Sequence, residues 1–259
     1  MKGLILYFSG TGNTKFIANK MGEEFIKNEC EIEIHSIEEE FNIEKISFDY
    51  LILGFPKYFE YIPQIFMEFI EDNLHYSESE IKTMIFSTGK DKLQTYFDEL
   101  EKILIEKNFK VILTTNFKMP NSNILSREYL DTKNIDLEEV YNKSLQKIKN
   151  EIANFLIENY NKKEINNFKS IIMKKLYKFR TKDLYKNSYK FSVSSQCDKC
   201  NLCVKICPTR NIENIGDYIK FRDNCILCCR CMSCCPKNAI LYKNKQYSQY
   251  KDNIDLIVG

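Results

Sequence analysis

Histidine is almost missing from this sequence: 259 residues contain only His35 and His75. Both lie far from the cysteine-rich region, which removes the usual His partners of a zinc site there. Their settings favour structural or surface roles. No apolar run is long enough to span a bilayer. The run Leu4–Phe8 is short and leads into Ser-Gly-Thr-Gly-Asn-Thr without a cleavage pattern, so no secretory signal is expected and a cytoplasmic protein is. A surplus of one charge is also lacking. Lys and Arg number 38 against 36 Asp and Glu, for a net charge of +2, which argues against a dedicated nucleic-acid binder. Cysteine is nearly absent from the first 196 residues, where Cys30 stands alone near the start of the second strand as an ordinary thiol. The total of 11 is odd, so complete pairing into disulfides is excluded, and metal binding is the expected use.

Cysteine usage splits the chain. The body alternates short apolar segments with helical periods. Strands are predicted at 2–9, 31–37, 49–55, 83–87 and 110–117. Helices are predicted at 15–27, 64–73, 93–107 and 136–159. Continuous apolar strands alternating with helices imply a parallel sheet covered on both faces, and right-handed crossovers make it a five-stranded doubly wound α/β domain. The alternating second strand suits a sheet edge. This domain is expected over residues 1–160.

Residues 161–195 change character, with ten Lys or Arg against Glu164 and Asp183. Ile165, Phe168, Ile172, Leu176 and Phe179 fall on one helical stripe, which predicts a basic amphipathic helical linker. It could pack on a domain, dock an acidic redox partner or touch an anionic membrane surface. A compact unit at 196–242 and a polar tail at 243–259 follow. The charge halves are unequal: residues 1–160 hold 18 basic and 28 acidic side chains, residues 161–259 hold 20 and 8.

Cys197, Cys200, Cys203 and Cys207-Pro208 spell C-x2-C-x2-C-x3-C-P. Cys225, Cys228, Cys231 and Cys235-Pro236 repeat it 28 residues later. Three cysteines at every third position wrap a cubane corner, and the fourth begins the next element pointing the other way. The spacing therefore predicts one [4Fe–4S] cluster on Cys197, Cys200, Cys203 and Cys235, and another on Cys225, Cys228, Cys231 and Cys207. Cys228, Cys231 and Cys234 as a rival triplet would need a cysteine at position 238, which is Asn238. Cys229 and Cys234 are thus expected as small packed residues. The segment 196–242 resembles bacterial two-[4Fe–4S] ferredoxins, although its basic residues outnumber its acidic ones.

Ser9, Gly10, Thr11, Gly12, Asn13 and Thr14 stand where the first strand becomes the first helix. Such a turn aims backbone N–H groups at one point, and the hydroxyls add donors, which makes an anion site. Lys15 stands where a Rossmann G-x-G-x-x-G needs its last glycine, and no G-x4-G-K-[ST] is present. The hexapeptide resembles the phosphate loop of flavodoxins, whose ligand is FMN. The flavin ring is then expected over the carboxyl ends of the first, third and fourth strands. Phe55, Pro56, Lys57 and Tyr58 follow the third strand, with Tyr58 the candidate for ring contact. Thr88, Gly89 and Lys90 follow the fourth, and Met119-Pro120-Asn121 ends the fifth.

Residues 1–242 as a whole resemble the EFR-type flavodoxin-domain ferredoxins of anaerobic microbes. The resemblance implies an FMN-associated iron–sulfur redox protein that converts between one-electron and two-electron steps, an electron carrier rather than a substrate-specific oxidoreductase. Its partner would be another redox protein. A flavin-dependent reductase fed by the clusters and an iron–sulfur redox sensor are the alternatives. No nicotinamide fingerprint is present.

Overall fold

The structure, a computed structural model, describes residues 1–58, 60–90, 95–126, 136–158, 184–216 and 218–258, with Ile172 and Lys175. The chain separates into two compact units. The first comprises Met1–Ser9, Asn13–Pro120 and Asp136–Met173, and the second Gly10–Gly12, Asn121–Ile135 and Lys174–Gly259.

The first unit is built on β1 (Lys2–Tyr7), β2 (Glu31–Ser36), β3 (Tyr50–Pro56), β4 (Ile81–Gly89) and β5 (Phe109–Lys118). They form one sheet in the order β2-β1-β3-β4-β5, every pair parallel. This is the expected doubly wound sheet with flavodoxin-like topology. The alternating strand β2 is at an edge, while β1 and β3, buried along nearly their whole length, lie inside. Helices α1 (Asn13–Lys27), α2 (Gln64–Asn73), α3 (Asp98–Glu106) and α4 (Leu137–Leu156) connect and cover the strands. Ile17, Met21 and Phe25 of α1 and Ile148, Ile152 and Phe155 of α4 pack over Ile5, Ile52 and Met84 of the sheet. Asp136 starts α4 by accepting a hydrogen bond from the Glu139 amide at 3.0 Å, the usual satisfaction of an orphan N–H at a helix start. Cys30 is buried just before β2, its thiol donating to the Asn28 carbonyl at 3.5 Å.

Most of the basic helical stretch expected at 161–195 lies outside the described residues. At its end the chain forms a 3₁₀ segment, Leu184–Lys190, and strand β6, Phe191–Val193. β6 pairs antiparallel with β9 (Ile240–Tyr242), and β7 (Ile212–Ile215) pairs antiparallel with β8 (Tyr218–Phe221). Two short helices, α5 (Leu202–Lys205) and α6 (Arg230–Cys234), follow the first two cysteines of each motif, and α7 spans Asp255–Val258. The core of this unit gathers Ile124, Phe191, Cys229, Met232, Ile240 and Tyr250. Tyr250 and Ile254, in the stretch read as a polar tail, are buried.

Gly54 shows how tightly the sheet is packed where it leads to the loops. It pairs with Phe86 on β4, and a Cβ added there would lie 2.1 Å from that ring. Gly54→Ala is expected to destabilise the first unit by about 1–3 kcal/mol through overpacking, read as a lower urea midpoint.

Candidate functional site

The carboxyl ends of β3, β4 and β5 are held together beyond the strands. The Lys57 amide donates to the Thr88 carbonyl at 2.8 Å, and the Met119 amide to the Gly89 carbonyl at 2.8 Å. In the loop after β3, Tyr58 and Tyr61 exchange two backbone hydrogen bonds of 3.0 Å each. The Tyr61 ring stacks on Tyr96 with centroids 5.4 Å apart, and the Tyr96 amide reaches the Glu60 carbonyl at 3.1 Å. Phe55 is fully buried between Phe66 and Phe97, so it supports this loop from beneath. Pro56, Tyr58 and Lys90 are half-buried.

Two polar assemblies lie here that the sequence did not signal. The Lys57 side chain is only 7% exposed and pairs with Glu60 at 2.8 Å. It also lies against Gly89, where a Cβ would meet the lysine Cε at 2.9 Å. The spacing of the pair in sequence could have suggested it; the burial could not. Behind the loop, the Ser87 and Thr95 hydroxyls stand 2.7 Å apart. Both also stand within hydrogen-bond reach of Asn116 Oδ1, Thr95 at 2.7 Å, so the two hydroxyl protons are shared over three contacts. Hydroxyls and amide are thereby satisfied inside the protein, as buried polar groups must be.

The Ser9–Thr14 turn is where the sequence put it, between β1 and α1. Ser9, Thr11, Asn13 and Thr14 are all buried. Thr14 Oγ1 is 2.8 Å from Thr88 Oγ1, joining two expected site residues at the start of α1 and the end of β4. Asn13 Nδ2 donates to the Pro120 carbonyl at 2.9 Å. Gly12 has φ +96°, a conformation that favours glycine. Its Cα faces the Asn253 carbonyl so closely that a Cβ would come within 1.9 Å of the oxygen. The Gly10 carbonyl accepts from Arg230 Nε at 2.9 Å. Hydroxyls and backbone amides at a helix start form a donor set whose chemistry fits a phosphate.

None of the eleven cysteines is joined in a disulfide. Two small cavities of equal size, about 20 Å³ each, are lined by them. Cys197, Cys200 and Cys203 share the first with Cys235. Cys225, Cys228 and Cys231 share the second with Cys207, and Cys229 joins its wall. Each cavity therefore combines three cysteines of one motif with the fourth of the other. Among the described residues no three His, Cys, Asp or Glu side chains converge closely enough to hold a single metal ion. Burial pushes the Cys203 thiol up to about 11 and the Cys228 thiol up to about 12, the nearby Arg230 opposing the rise at Cys228. Cys231 is pushed well above the ordinary range by burial. Cys229 is buried, its thiol donating to the Leu227 carbonyl at 3.5 Å, and Cys234 is half-buried outside both cavity walls.

Residues 4–131 match the family model described as Flavodoxin domain. Similar solved structures include oxidised Flavodoxin 1 from Bacillus cereus, 19% identical, covering 62% of this chain and 100% of that one with a TM-score of 0.38. Oxidised Flavodoxin 2 from Bacillus cereus is also 19% identical, over 61% and 99% of the two chains, with a TM-score of 0.44. Among curated proteins, the archaeal-type glutamate synthase (NADPH) of Dehalococcoides mccartyi is 34% identical over 64 residues, 24% of this chain. The aligned stretch spans 13% of that protein's length. Residues 4–131 thus match a flavodoxin domain, and the strand order is flavodoxin-like.

The Lys57–Glu60 pair generates a prediction. Lys57→Met strands a carboxylate that is 23% exposed, and is expected to cost about 1–3 kcal/mol. Adding Glu60→Gln should recover part of that loss. Urea unfolding of the single and double variants measures the coupling.

Proposed function

We propose that this chain carries electrons between two [4Fe–4S] clusters and FMN, joining one-electron to two-electron chemistry. The observation that carries the reading is the crossed composition of the two cavities. Their walls pair Cys197, Cys200 and Cys203 with Cys235, and Cys225, Cys228 and Cys231 with Cys207. That is the ligand exchange the motif spacing predicts for a two-cluster module.

Clusters and flavin supply the electron-storing chemistry when bound; the protein positions them and sets their surroundings. The Cys207 and Cys235 sulfurs each accept a backbone N–H, from Asn211 and Ala239, at 3.3 Å. The Cys225 sulfur accepts the Leu227 amide at 3.4 Å. Such bonds stabilise negative charge on sulfur and so favour a reduced cluster. On the flavin side, Ser9–Thr14 would hold the phosphate, and Phe55–Tyr58 with Thr88–Lys90 would border the ring. The buried Lys57 ammonium next to Gly89 would favour added negative charge there. The basic second half of the sequence suits an acidic redox partner.

Anaerobically purified protein should contain about eight irons and one FMN per chain. Cys207→Ala and Cys225→Ala should each remove the same cluster signal. Cys235→Ala and Cys197→Ala should remove the other. Loss of different signals by Cys207→Ala and Cys225→Ala would refute the crossed ligation. The pH dependence has a definite sign. Burial keeps the Cys203 and Cys228 thiols protonated at pH 7, and ligation needs thiolates, so cluster loading ejects protons. Reconstitution should therefore strengthen from pH 7 to pH 9, with proton release measurable in weak buffer. Thr14→Val should weaken FMN binding about tenfold through one lost hydroxyl, read by flavin fluorescence. In stopped flow, reduced clusters should pass electrons to bound flavin; failure to do so would refute the carrier.

A further inference from the structure

The two cysteine motifs match in backbone as well as in sequence. Lys199 and Leu227 have φ 58° and 55°, Asn201 and Cys229 both have φ 61°, and Arg210 and Asn238 have φ 51° and 45°. Each pair is separated by the 28 residues of the sequence repeat. Asn201 and Cys229 each precede the short helix, α5 or α6. The hydrogen bonds to Cys207 and Cys235 from the amides of Asn211 and Ala239 obey the same offset. On this largely shared backbone the two cavities differ in their side chains.

One such difference, a buried cation in one copy only, stands at the first helical position. The first copy has Leu202 and the second Arg230. Arg230 is only 5% exposed and follows Cys228 and Cys229 directly, with Cys231 next. Its Nη1 donates to the Ile206 carbonyl at 2.7 Å and its Nε to the Gly10 carbonyl at 2.9 Å. Ile206 immediately precedes Cys207, the cysteine that the first copy contributes to the second cavity. The guanidinium is thus tethered to both cysteine-bearing segments of one cavity. The other cavity has Leu202 in its wall, together with Asp198 and Lys199, whose charges sum to zero. An arginine stays ionised in proteins, and a charge away from water acts on its neighbours far more strongly than one in solvent.

Building on the cluster reading above, we infer that the two clusters are unequal and that Arg230 is the residue that makes the cluster on Cys225, Cys228, Cys231 and Cys207 the one of higher potential. One electron from a donor makes either cluster one unit more negative. The buried cation stabilises that added charge on its own side, so the first electron to enter the module rests there. The cluster on Cys197, Cys200, Cys203 and Cys235 fills second. Arg230 acts as a positioning and tuning residue and is no ligand.

The test is a potentiometric titration of the full chain with dithionite as electron source, followed by electron paramagnetic resonance. Two separate one-electron steps are expected, with the first electron preferring one cluster at least tenfold, about 59 mV for a single electron. Arg230→Leu, which gives the second copy the residue of the first, should lower the higher step and leave the lower one in place. Eight irons with coincident steps in the unaltered chain would overturn the inference while leaving the cluster reading intact. So would an Arg230→Leu chain whose steps do not move. Should Arg230→Leu fail to retain eight irons, Arg230→Lys against Arg230→Gln decides. The cation keeps the higher step and the amide loses it; equal potentials in the two overturn the inference. Fewer than four irons in the unaltered chain would refute the cluster reading itself.

Discussion

Burial of thiols is the interaction on which the second unit depends. Its apolar core is small, gathered around Phe191, Met232, Ile240 and Tyr250, and cysteines line much of what remains of its interior. Where burial takes thiols out of water, at Cys203, Cys228 and Cys231, it pushes them up and disfavours the thiolate. A unit of this size gains little from hydrophobic burial alone. Filling the two cavities with groups bonded to all their walls would link two chain segments at each, and the stability of such a module would then follow its cofactors.

The first unit is organised differently. Its stability comes from a conventional apolar core between sheet and helices, and its polar groups gather at one end. There the strands continue as hydrogen-bonded loops, with Lys57 paired to Glu60 and with Ser87, Thr95 and Asn116 gathered in one polar cluster. Thr14 and Thr88 connect the start of α1 to the end of β4. Ligands of open parallel sheets bind at this end because neighbouring connections there leave in opposite directions.

Much of this could be read from the residues. The alternation of Glu31–Ser36 marked an edge strand, and the continuous apolar run of Tyr50–Phe55 a buried one, because side-chain period follows exposure. Helix α2 begins and ends where the sequence reading placed it, directly after Pro63. Helix α3 begins at Asp98, later than expected. Thr95 is tied to Ser87 and Asn116, and the acidic Asp98, Glu99 and Glu101 suit the positive end of the helix dipole. Strand β4 runs longer at both ends because β3 and β5 hydrogen-bond it on both sides. The roles of Arg230 and Asn253 were invisible, since each meets a segment more than 200 residues away in sequence. Periodicity and spacing report neighbours along the chain, and such contacts exist only after folding.

The crossed cavity walls also bear on how such a module could arise and fail. One copy of the motif holds three cysteines facing one cavity and a fourth facing the other. Alone it closes neither, and it could do so only by associating with a second copy of itself. Joining two copies in one chain replaces that encounter with a fixed, high effective concentration. The same sharing removes redundancy. Local unfolding of either copy withdraws a wall from both cavities, so the duplication doubles the capacity of the module without providing a spare.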